Sequence, residues 1–446
     1  MFSRMLPSTT TLRRRASFAL SALLSVHGVS VSSAHAEIYL IKPGDDWSIL
    51  GPKLVPGDEL SLLEGVHVAA QFTGVAGSAE KPIVIRSSAN GKLAEIAPGR
   101  EGLKLTDCSH VRIERVLIKN ARRAGVVIDA TASGKSHDLA LHDVLVVGVA
   151  GLVEQSGILV RETARLEVKR SRFENCIGAA MRFEHTSEVS VERVQILAAP
   201  TARAEHGILI LGPNALMTFH DVWISGAIGT GLSLGASDAP HHVSGGPTIP
   251  AFPPPIRAPS ARPEETLTPR PTEPVTPAQP VPEQVPAPDA SAKPLALVRG
   301  ATFEHLLLHG TDRPFEFGSC EEITISNCTV VDPHEEVFRI GKVATSSDGS
   351  AASLSVRFRN NIVVWKAGGL RRFTDLAEGV SAAGLNLGPN YWWSNELPSA
   401  LPLLGPVGAP FPGTLEVPQT IDIDPDLDDH HRPRLEAVRM SGRSVT

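Results

Sequence analysis

The chain has 446 residues, a formal net charge of −6 and four cysteines. A slight acidic excess excludes the basic field that nucleic-acid binding needs. Beyond residue 36 no stretch reaches 18 apolar residues, which excludes a membrane-spanning helix.

Residues 1–36 read as a secretory signal. Arg13, Arg14 and Arg15 precede an apolar stretch over 16–31, and Ala34-His35-Ala36 supplies a small-x-small cleavage site before Glu37. The expectation is a secreted or periplasmic protein. Residues 37–68 predict a strand, a short Asp-capped helix and two further strands. A helix there would cover the open end of a stacked fold, where strand edges and apolar interior are exposed. "KPIVIRSS" at 81–88 is the first regular segment.

From about residue 102 the chain repeats. Apolar triplets at 103–105, 111–113 and 116–118 start eight and then five residues apart. The same offsets recur at 158–160, 166–168 and 171–173, at 181–183, 189–191 and 194–196, and at 315–317, 323–325 and 328–330. A fixed period names a stacked architecture. Within a triplet, residues one and three point to one face and the middle residue to the other. The outer positions are mostly apolar, while the middle ones include Lys104, Arg112, Glu167, Arg182, Glu316 and Arg339. Three short strands per repeat, each with a buried and a wet face, predict an all-β parallel β-helix of about 23 residues per coil, with coils about 4.8 Å apart. A leucine-rich repeat would need one strand per repeat and its own Leu/Asn consensus, and neither is present. The constant offset of five leaves a two-residue corner, as in Glu114-Arg115, Lys169-Arg170, Glu192-Arg193 and Ser326-Asn327.

Residues 236–295 break the pattern. They hold nearly half of the chain's 36 prolines and little apolar periodicity, and predict an extended, unpacked insert. Residues 232–234 read as a first strand, and 301–303 and 306–308 as the second and third strands of the same coil. The insert is therefore a loop within one coil. Closure entropy grows only with the logarithm of loop length, so the coil tolerates it. As a polyproline II segment it would suit a protein partner. The organisation expected is a signal at 1–36, cap and coils at 37–235, the insert at 236–295, further coils at 296–369 and an irregular C-terminal cap at 370–446. Cys108, Cys176, Cys320 and Cys328 lack metal or disulfide spacing and read as buried thiols.

Register then gathers candidate site residues. First strands stack, so Lys104, Val127, Leu159, Arg182 and Leu209 share one outward column. Asp129, Arg161-Glu162 and Glu184-His185 follow in the next. Glu162 and His185 are 23 residues apart, one coil. Arg161, Arg182, Glu184 and His185 are expected to converge, bordered by Glu162, Lys104, Asp129 and His206. Arginine pairs bidentately with a uronate carboxylate and acidifies the proton beside it. His185, or an arginine, would remove that proton as base, the chemistry of β-elimination. The bland alternative is that these are ordinary charges on a wet face, pairing weakly across coils. Other residues read as structural first. His142 and His220 precede Asp at corners. Tyr391, Trp392 and Trp393 would pack an end cap or stack on sugar. Residues 422–431 would form a capping loop or bind calcium through oxygens.

The order "VPGDELSLLEGVHV", "GVAGSAEKPIVIRSS" and "LKLTDCSHVRIERVLIKN" resembles the right-handed parallel β-helix proteins of the pectate-lyase-like superfamily. Pro-Gly-Asp, Glu-Gly and Gly-x-Ala-Glu-Lys-Pro-Ile resemble the opening of polysaccharide lyase family six, which includes chondroitinase B and alginate lyases. The close likeness spans about residues 37–120. It implies a right-handed coil, cleavage of an acidic polysaccharide, a catalytic Lys and Arg one coil apart, and a calcium ion held by Asn and Glu. No residues here match that catalytic and calcium set. "DVWISG" at 221–226 lacks the Asp-His of the pectate-lyase element it echoes. Three readings stay open: a secreted β-helix that binds and cleaves an acidic polysaccharide, a non-catalytic glycan-binding or cell-envelope β-helix, and a scaffold that displays the proline-rich arm.

Overall fold

The computed structural model describes residues 36–88, 92–97, 99–132, 134–149, 155–235, 298–341, 354–366, 369–377, 380–388 and 390–394. The expected signal up to residue 35, the proline-rich insert and the 422–431 run lie outside the described residues.

The described residues form a parallel β-helix in which strands pair in parallel with those of the adjacent coils. Crossovers between parallel strands are right-handed in nearly all cases. Three inward columns meet in the interior. The first sheet contributes Leu103, Val126, Ile158, Met181, Ile208 and Leu232 in register, then Phe315 and Phe338. The second stacks Leu141, Val168, Val191, Phe219, Phe303, Ile325 and Phe358. The third stacks Ile118, Val146, Phe173, Ile196, Ile224 and Leu308. All belong to one continuous apolar core. Residues one and three of each triplet face inward, as the alternation required.

The two-residue corner has one backbone solution. Its second residue is left-handed in every coil from Arg115 (φ 52°) through Asp143, Arg170, Arg193, Asp221, His305 and Asn327 to Asn360 (φ 56°). Left-handed backbone disfavours most side chains by about 1–2 kcal/mol. Stacking imposes it even on arginine. The third-to-first-sheet corner has a different demand, a side chain of almost no size. A Cβ at Gly157 would lie 2.7 Å from the Phe173 ring and 2.5 Å from the Ala180 carbonyl oxygen. Gly125, one coil below, would meet Val146 at 2.5 Å.

All four cysteines are buried and free. Burial pushes the thiols of Cys176, Cys320 and Cys328 up to about 12, so they act as small apolar groups. The N-terminal cap also forms. Trp47 opens a 3-10 helix (Trp47–Lys53) behind the Asp46 cap and is buried against Phe72 at a centroid distance of 5.4 Å. The far end departs from expectation. Coiling does not stop at 369 but continues through Arg372–Leu376, Leu385–Leu387 and Tyr391–Ser394. Irregular loops hide the period there, yet Trp392 is fully buried against Phe373 (4.3 Å). It is a core residue of the last described coil and not a sugar platform.

The chain leaves the first sheet at Leu234 and enters the second at Val298, so the insert interrupts one coil. Register is kept across it: Met217 pairs with Ala301 and Phe219 with Phe303. The Phe219 and Phe303 rings stack at 4.8 Å with only 13° between planes. Phe219→Ala should cost about 3–5 kcal/mol of stability, read by denaturant unfolding of the purified protein, because the rigid neighbouring coils cannot close the void.

Candidate functional site

The outward side of the first sheet carries the predicted column. Lys104 pairs with Val127, Val127 with Leu159, Leu159 with Arg182 and Arg182 with Leu209. The column continues through Ser233, Glu316, Arg339 and Asp375. This side is less wet than alternation implied. Ala124, Val127 and Leu159 form a buried apolar cluster outside the main core, and Ala179, Leu209 and Leu211 form another. Apolar residues stand side by side in the ladder here and pack as clusters of their own.

The charged residues between these clusters are held in pairs. Arg161 stands in register with Glu184 and donates from Nε to its Oε2 at 2.6 Å. Arg182 donates from Nε to the other oxygen, Oε1, at 2.5 Å. Two guanidiniums on one carboxylate leave a net charge of about +1. Their side chains are only 26% (Arg161), 18% (Arg182) and 16% (Glu184) exposed. An exposed ion pair is worth little, but partly buried charges interact through a lower dielectric and are expensive to leave uncompensated. Lys104 pairs with Asp129 at 3.1 Å, and Asp129 also accepts from the Thr106 hydroxyl at 2.6 Å.

His185 and Glu162 occupy the same position in adjacent coils, both left-handed at the exit of the first strand. Nδ1 of His185 lies 3.0 Å from a Glu162 oxygen. The contact places a carboxylate beside Nδ1 without hydrogen-bond alignment. A Cβ at Gly212 would sit 3.0 Å from Nε2 of His185, so the glycine makes room for the ring. Arg161, Arg182 and Glu184 are thus one contact group, and His185 with Glu162 a second beside it. His206 does not join them. It is in register with Ala179 and Thr230 at the entry edge of the sheet. That edge is roughly 20 Å of strand from the exit at His185.

A larger ionic cluster higher on the same face had only Glu316 and Arg339 as outward strand residues to announce it. Arg313 meets Glu335 at 2.6 Å and Glu336 at 2.7 Å. Arg372 lies 3.6 Å from Glu336 and 2.8 Å from Asp375, and Arg339 lies 3.9 Å from both Glu316 and Asp375. Glu316 and Glu336 are each 2% exposed. The Arg313–Glu336 contact is close but lacks hydrogen-bond alignment. Burial therefore outweighs the cations and holds the Glu336 carboxyl above its usual range.

The resemblance implied a calcium ion, which takes six to eight oxygens. The carboxylates of this face do not fit one. Asp129 faces Lys104, Glu184 faces two arginines, and Glu316 and Glu336 face three more.

No family model matches the chain, and no curated protein does. Solved structures do align with it. An alginate lyase from Paenibacillus sp. str. FPU-7 is 12% identical, with 79% of this chain and 97% of that one covered and a TM-score of 0.42. A pectate lyase is 10% identical over 79% and 82%, with a TM-score of 0.47. The A-module of a mannuronan C-5 epimerase from Azotobacter vinelandii is 11% identical over 78% and 88%, with a TM-score of 0.49. The fold is a parallel β-helix. Among the described residues no helix is long and apolar enough to cross a membrane.

Glu336 yields a pH test. Its folded-state pKa is raised, so its contribution is fully present below the unfolded value of about 4.3 and is lost as pH rises through the folded value. The melting temperature of Glu336→Gln relative to the native protein should therefore rise from pH 4 to pH 7. A difference that falls over that range would mean the arginines dominate.

Proposed function

We propose that this protein binds an acidic polysaccharide on the outward face of its first sheet and cleaves it by β-elimination. The single observation that carries the reading is the Arg161–Glu184–Arg182 triad, cationic and mostly buried, beside the Glu162–His185 pair. A uronate carboxylate would compete with Glu184 for Arg182. Pairing with a guanidinium withdraws charge from the sugar carboxylate and lowers the barrier to loss of the adjacent proton. His185 takes that proton at Nε2, while the nearby Glu162 carboxylate stabilises the imidazolium. The electron pair left on carbon forms the double bond and expels the glycosidic oxygen, which takes a proton from solvent water as it leaves. Lys104 and Asp129 extend the polar track along neighbouring coils. Export to the cell exterior or periplasm is the compartment this substrate requires.

One feature favours a second reading. Glu184 already takes the Nε of both guanidiniums, which suits a glycan-binding face with no turnover. The two readings part in one experiment. The mature protein is incubated with uronate polymers, and the unsaturated product is followed by ultraviolet absorbance. Arg182→Ala should weaken binding by about 1–3 kcal/mol, the cost of a charge-assisted hydrogen bond. Arg172→Ala, on the third sheet and paired with Glu174, should leave binding unchanged. His185→Ala should abolish product while sparing affinity, because a general base acts in the transition state. Binding with no product selects the non-catalytic reading. Equal losses for Arg172→Ala and Arg182→Ala remove the site.

A further inference from the structure

His220 and His305 are 85 residues apart in sequence, on either side of the long insert, yet Nε2 of His220 lies 2.8 Å from Nδ1 of His305. Both sit at the two-residue corner between the second and third sheets. His220 holds the first corner position of its coil and His305 the second position of the next. Nδ1 of His220 is 3.2 Å from Oδ2 of Asp221. One ligand-capable atom from each of the three residues falls within 4.8 Å of the others.

We infer that His220 and His305 bind a divalent transition metal of the zinc class, with Asp221 as orienting partner. Three observations carry this. The two ring nitrogens already converge: in a tetrahedral site with metal–nitrogen bonds of about 2.0–2.1 Å they would stand about 3.3 Å apart. Side-chain rotations that open the pair by about 0.5 Å, the gap between that spacing and 2.8 Å, would suffice. Asp221 lies 3.2 Å from Nδ1 of His220, within a small side-chain rotation of the carboxylate–histidine arrangement that orients a ligand and raises its basicity. Glu304 stands in register beside His220 and adds a carboxylate on that side, while Glu192 on the other side is neutralised by cations. Glu192 is shared with Lys169 and Arg193, and Glu304 lies 3.5 Å from the Ser326 hydroxyl. Imidazole donors select zinc, nickel or copper over calcium.

A second cluster shows what an unsuitable arrangement looks like. His110, His137 and Asp138 are equally close. There Arg165 holds both Asp138 oxygens, at 2.7 and 2.8 Å, and its Nη2 approaches His137 Nδ1 at 3.4 Å. That guanidinium holds the Asp138 carboxyl well below the usual range and would repel a cation.

The site is remote from the first-sheet face, so it stands whether or not the protein acts on a glycan. It would clip together the two coils that flank the insert. The test uses the full exported chain, stripped with a chelator and titrated calorimetrically with zinc sulfate, with calcium chloride as the control. Zinc should bind and raise the melting temperature, as any ligand of the folded state does, and calcium should do neither at this site. His220→Ala and His305→Ala should each remove one equivalent of bound zinc, or weaken it at least tenfold, and cancel the thermal shift. His220→Gln, which keeps the ring's approximate size, serves if an alanine variant misfolds by circular dichroism. His137→Ala should change nothing. Zinc held with equal stoichiometry and affinity by all variants, as His241-His242 or His430-His431 would give, overturns the inference, and so does a native chain that binds no zinc.

Discussion

Parallel hydrogen bonding of each coil to the next is the interaction on which everything else in this molecule rests. It sets a repeat of about 4.8 Å along the stack and forbids slippage, because a one-residue shift would turn every inward side chain outward. Given that register, the interior must be a set of apolar ladders, and the corners must repeat one backbone geometry. Arg115, Arg170 and Arg193 accept a left-handed conformation because the coil above and the coil below already have it.

The same register brings together on one surface residues that are distant in sequence. Arg161 reaches Glu184 because one coil separates them, and His185 reaches Glu162 for the same reason. The buried clusters around Leu159 and Leu209 lower the local dielectric around the intervening charges. On this face opposite charges alternate from coil to coil in two ladders: Glu316 with Arg339 with Asp375, and Arg313 beside Glu336 beside Arg372.

Much of this was legible from the period alone. The triplets placed the inward columns, the offset of five placed the corners, and counting 23 residues paired Glu162 with His185. What stayed hidden has physical causes. The coil at 372–394 escaped because its loops have unequal lengths and few of its residues form triplets. Alternation marked Val127 and Leu159 as outward but could not reveal their burial, which depends on neighbours in space. His220 was read as an isolated corner residue because the insert delays its partner, His305, by 62 further residues of chain beyond the usual coil. Glu336 escaped because it precedes its strand's triplet, where the corner from the third sheet still bends the chain.

Register across the insert is the claim with most at stake, since the stacked core, the second ionic cluster and the histidine pair all depend on it. Thr218 and Thr302 are direct partners across the insert, both on the outward side of the second sheet. Their backbones should lie about 5 Å apart. Cysteines placed at both positions and tagged with nitroxide spin labels test this directly, since the native thiols are buried and would stay unlabelled. Strong dipolar broadening in the doubly labelled protein, absent from either single label, is the predicted spectrum. Two sharp, non-interacting labels in a folded protein would contradict the stacking of the coils across residues 236–297 and the account built on it.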